Sequence, residues 1–72
     1  MRSGLARARQ VRKALEKAGW RLQSVRGSHH VYRKDDRIEV FAYHDRVDLG
    51  RTRMAIVARQ FRMTVDELRR LL

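Results

Sequence analysis

The spacing of apolar residues changes twice along this chain, and that change limits the fold more than any other feature. Val11, Ala14, Leu15 and Ala18 fall at i, i+3, i+4 and i+7, one stripe of a helix. Between Trp20 and Tyr43 the period drops to two, the spacing of strands. From Met54 the helical period returns, through Val57, Ala58 and Phe61.

The first helix is expected over residues 5–18 and stops at Gly19, a residue suited to a left-handed C′ position. Arg9, Arg12, Lys13, Glu16 and Lys17 fill its polar side, where Arg12 and Glu16 can pair one turn apart. Strands are expected at 20–26, 29–33 and 37–43. Gly27-Ser28 and Asp35-Asp36 are short loops between them, although the second lacks the glycine that two-residue turns favour. Loops this short imply an antiparallel meander. Residues 44–50 read as a polar connection to the second helix. Thr64-Val65-Asp66-Glu67 is a capping box for a third helix, flanked by Met63 and Leu68 at the staple positions. Leu68, Leu71 and Leu72 form its inward face.

The order is therefore α-β-β-β-α with a short terminal helix. The expected class is α+β: a three-stranded antiparallel sheet with both amphipathic helices on one face. That is the layout of a double-stranded-RNA-binding domain. Ile38, Val40 and Ala42 are expected to face the helices, with Val31 and Leu22 beside them and Glu39 and Phe41 outward. Residues 1–72 make one domain, without linker or repeat. A chain this short buries only about 60% of its unfolded surface, so the core is thin.

Charge narrows the partners. Lys+Arg number 18 against 8 Asp+Glu, a formal +10. A field that strong draws nucleic acid, an anionic membrane surface or an acidic protein. All the basic residues but Lys13, Lys17 and Lys34 are arginines, whose forks match phosphate geometry. The absence of cysteine removes disulfides, zinc knuckles and thiol nucleophiles. No apolar run reaches a membrane-spanning length. The start, Met1 to Arg7, lacks the apolar core of a signal peptide, so the expected location is cytoplasmic.

Chemistry has few carriers. His29, His30 and His44 are the only side chains whose unperturbed pKa, about 6.5, lies near neutrality. His29 and His30 point to opposite faces of a strand and cannot share a metal. No other ligand spacing is present, so neither metal nor cofactor is expected. Ser28 lies in no nucleophile elbow, and the 4 glycines form no phosphate loop. What remains is an imidazole acting on RNA, which carries its own nucleophile in the 2′-hydroxyl. A neutral imidazole takes that proton while arginines steady the phosphorane charge. The plainer alternative is a His29 that only caps the turn or packs. His44, closing the third strand, is a candidate general acid or loop-orienting residue. Tyr32, Tyr43 and Phe41 are packing residues or base-stacking surfaces.

Gly27-Ser28-His29-His30-Val31-Tyr32, at the second strand of such a chain, resembles the HicA family of toxin mRNA interferases. The basic helix ending in Gly-Trp, the alternating strand before His44 and the final Thr-Val-Asp-Glu-Leu helix are similar as well. The resemblance implies a double-stranded-RNA-binding-domain-like fold and cleavage of mRNA that stops translation. It assigns catalysis to the histidine after Gly-Ser, which maps to His29. Gly27 would permit the tight turn, and Ser28 would orient the base or contact phosphate. Arg26, Arg33, Arg51, Arg53 and His30 complete the expected RNA contacts. A HicB-type antitoxin that covers the active site is the implied protein partner, and DNA is reached only indirectly, through it. Two positions depart from the family pattern: Ala42 stands where proline is common, and Arg51, not glycine, precedes Thr52.

Two other readings stay open. One is an RNA-binding domain of the same fold without catalysis. The other is a helix-turn-helix over 55–68, against which Asp66 and Glu67 would repel phosphate at the recognition turn. A membrane-surface helix fits less well, because the first helix carries no aromatic anchors.

Overall fold

The structure is a computed structural model that describes residues 5–72. Residues 1–4, which bear on the leader expectation, lie outside it. The elements run β1 (Ala6–Arg7), α1 (Ala8–Lys17), β2 (Arg21–Arg26), β3 (His29–Lys34), β4 (Arg37–Phe41), β5 (Asp48–Leu49), α2 (Arg51–Gln60) and α3 (Val65–Leu71). Strands β2, β3 and β4 form a three-stranded antiparallel meander, as expected.

α1 starts three residues later than its apolar stripe suggested. Ala6 and Arg7 are taken by a short antiparallel pairing with Leu49 and Asp48, which the polar reading of 44–50 missed. The helix stops where expected. Gly19 adopts φ +100, and Lys34 Nζ donates to the Ala18 carbonyl at 2.7 Å, satisfying an orphan acceptor at the helix end. At α3, Thr64 Oγ1 accepts from the Glu67 amide at 3.1 Å while Glu67 Oε1 accepts from the Thr64 amide at 2.8 Å. The reciprocal cap read from sequence is present in full.

The faces of the sheet are reversed relative to expectation. Tyr32 and Phe41 are fully buried against Trp20, Phe61 and the apolar stripes of α1 and α2. Ile38 and Val40 are exposed, and Glu39 turns toward the helices, where Gln60 Nε2 donates to its Oε1 at 3.1 Å. Both faces of β3 and β4 are apolar, so alternation alone does not say which one is covered. Ring size decides. An aromatic side chain removes about 150–250 Å² from water, more than an Ile or Val can. The ring of Phe61 meets Trp20 edge-on at 4.9 Å and Tyr32 at 6.1 Å. Leu22 keeps the helix side by register but remains exposed. A bulge between Leu22 and Ser24 puts Leu22 opposite Tyr32 rather than in line with Val31.

Candidate active site

The Gly27-Ser28 loop joins Arg26 to its partner His29, and Gly27 carries φ +57 while Ser28 does not have positive φ. A positive φ at the first loop position alone is the pattern of a type II′ turn. Nothing stands within 4 Å of a Cβ built on Gly27, so the backbone angle is what demands glycine there. From this turn β3 sends its side chains alternately to the two faces. His29 is exposed on the outer face, opposite Arg26. His30 is half-buried on the helix side, between Val25 and Phe41.

His30 Nδ1 lies 3.1 Å from the Ser28 carbonyl oxygen. A carbonyl only accepts, so Nδ1 must carry the proton and a neutral ring keeps its lone pair on Nε2. The turn thus fixes the tautomer as well as the position of the imidazole.

The opposite wall comes from the chain after β4. Residues 44–47 form a turn closed by the Val47 amide donating to the His44 carbonyl at 3.0 Å. α1 holds this turn in place. The amides of Ala8 and Arg9, orphans of the first helical turn, donate to Val47 O at 2.8 Å and to Asp45 O at 3.1 Å. Arg12, one turn further on, donates to Asp45 Oδ1 from Nε at 3.0 Å and from Nη2 at 2.7 Å. This replaces the Arg12–Glu16 pair expected from spacing; Glu16 Oε2 instead accepts from the Tyr32 hydroxyl at 3.4 Å.

The result is a small open cleft of about 290 Å³, lined by Gly27, Ser28, His30, His44 and Asp45. The hydrogen bond from Arg12 holds the Asp45 carboxyl below its ordinary range, with help from the charges of Arg12, His30 and Arg9. Burial works against the Arg12 charge, yet its bonds to Tyr32 and Asp45 outweigh that and raise its pKa. Burial pushes Tyr32 upward too, against the pull of Arg12.

Gly27, Ser28 and His30 therefore meet at one place, with His44. His29 and Arg26 sit on the far side of the hairpin. Arg33 is at the other end of β3, with its Nε on the Asp35 carbonyl at 3.1 Å. Arg51 is an exposed first residue of α2. Arg53 stacks 5.6 Å from the centroid of Tyr43, whose ring touches Phe41, the cross-strand neighbour of His30. The sequence reading missed Asp45 and the supporting role of Arg12. The only signal was a carboxylate directly after a histidine at a strand end, inside a stretch taken as connection. Among the described residues no three of His, Asp and Glu group as a metal-binding set.

Residues 8–62 match the family model described as HicA toxin of bacterial toxin-antitoxin, which covers more than half of the chain. The chain belongs to the HicA toxin family. Searches of curated proteins and of solved structures give no match. The HicA match takes in α1, the meander, the cleft and α2, and so every element that builds the site. The family carries a toxin role and with it a place in a toxin–antitoxin pair. Among the described residues of this HicA domain, no helix is long and apolar enough to cross a membrane.

Proposed function

We propose that this toxin domain is a metal-independent endoribonuclease that cleaves mRNA, with His30 as general base and His44 as general acid. The observation that carries the reading is the pair of imidazoles lining one cleft, one of them bound through Nδ1 to the Ser28 carbonyl so that Nε2 is the acceptor of its neutral form. Nε2 of His30 takes the 2′-hydroxyl proton, the oxygen attacks the adjacent phosphorus, and the bond to the 5′-oxygen breaks. That oxygen leaves with a proton from His44. The products are a 2′,3′-cyclic phosphate and a 5′-hydroxyl, and each histidine ends in the other protonation state. The net +10 of the chain supports the approach of a polyanion. A HicB-type antitoxin with an acidic surface is the proposed partner, recruited by the same field.

His29, to which the family resemblance assigned catalysis, is in this reading a contact residue of the outer face. Two alanine variants separate the possibilities on a synthetic RNA. His30→Ala is expected to lose about 10²–10⁴-fold in cleavage rate while His29→Ala stays near wild type. Loss with His29→Ala and retention with His30→Ala would move the site to the outer face. RNA binding without cleavage by the wild type would leave a binding domain. Products that vanish on addition of chelator would overturn the metal-free chemistry.

A further inference from the structure

Beside the histidine cleft lies a second, larger groove of about 470 Å³, lined by Arg7, Arg9, Gln10, Asp45 and Arg46. Asp45 lines both, so the two depressions adjoin at that residue. We propose that this groove is a phosphate subsite, holding the backbone of a single-stranded RNA one linkage away from the bond in the His30 cleft. The inference rests on the ribonuclease reading for its register, and not for the binding itself.

The charges in the groove are unevenly used. Asp45 Oδ1 is taken by Arg12, and Arg7 lies 3.7 Å from Asp48. Arg9 and Arg46 are exposed, and neither guanidinium forms an ion pair among the described residues. Two free arginine forks flank a space whose one carboxylate is already neutralised. A phosphate entering there meets net positive charge and can accept from both forks. The helix end is not the attraction, because the Ala8 and Arg9 amides are spent on Val47 and Asp45 carbonyls. No aromatic side chain lines the groove, so it offers no stacking surface and reads chain length rather than base identity.

The test uses the full chain with Arg9→Gln and Arg46→Gln together, and Arg21→Gln with Arg37→Gln as a control at the end of the sheet away from the cleft. Binding of a 2′-O-methyl oligouridylate, which cannot be cleaved, is followed by fluorescence anisotropy across a salt series. The Arg9/Arg46 variant is expected to flatten the log–log salt slope by about 0.7, one single-strand phosphate. An unchanged slope, or a loss equal to that of the control, overturns the subsite. In cleavage assays, extending a dinucleotide by one nucleotide on the correct side should raise kcat/KM in the wild type and not in the variant. Equal loss on dinucleotide and trinucleotide would reduce the arginines to a general field and overturn it too. A wild type that cuts nothing, with the slope change intact, defeats the catalytic reading alone.

Discussion

Arg12 and Asp45, thirty-three positions apart, meet through two guanidinium nitrogens on a single carboxylate oxygen. The contact ties the middle of α1 to the turn that carries His44. Its worth to stability is modest, about 1 kcal/mol or less, because the carboxylate is largely exposed. The sign of its pH dependence is fixed. Asp45 has a folded-state pKa below its unfolded value, so its contribution is complete above the ordinary aspartate range and fades as pH falls through the folded value. Urea melts of wild type and Asp45→Asn should therefore differ at neutral pH and converge in strong acid. A difference that persists there would mean the asparagine disturbs packing instead.

The same substitution bears on catalysis through position. Asp45 is a positioning residue in the proposed reaction, acting through the turn that presents His44. Asp45→Asn should lower kcat more than it raises KM. A pure KM effect would assign Asp45 to substrate binding.

A reaction that uses one neutral and one protonated imidazole loses rate on both sides of an optimum pH. Replacing His44 by alanine should abolish the alkaline limb of the kcat profile and leave the acidic limb, which belongs to His30. Survival of both limbs would show that another group supplies the proton.

The reversed faces of the sheet make a sharp stability comparison. Ile38→Thr should cost within about 0.5 kcal/mol, as an exposed substitution does. Phe41→Ala should cost about 3–5 kcal/mol, a large share of the stability of so small a domain. Denaturant midpoints measure both, and a costly Ile38→Thr would restore the opposite packing. The comparison also shows what sequence could and could not tell. Helix stripes, turns and the α3 cap were legible because each is a local pattern with one solution. The buried face was not, because Val31, Ile38 and Val40 alternate as cleanly as Tyr32 and Phe41 do, and only three-dimensional volume separates them. The cleft was half legible. Gly27, Ser28 and His30 fall within four consecutive residues, whereas Asp45 and Arg12 reach the site only through folding of distant segments.

At Gly27 the backbone angle is the whole constraint. Gly27→Ala should destabilise by about 1–2 kcal/mol, the cost of a left-handed φ on an L-residue, with Gly27→Asn losing less. Cleavage should fall further than stability explains, because the turn also aims His30. Equal losses for alanine and asparagine would point to something other than φ.

The irregularity at Gln23 has a bearing on solution behaviour. An extended segment at the margin of a sheet offers free amides and carbonyls to any neighbour of the same kind, a standing invitation to fibrillar growth. Here the extra residue breaks the regular spacing of those groups along β2, and Arg21 and Arg26 bracket the break with like charge. Two molecules approaching along that margin find neither a matching ladder nor a neutral path.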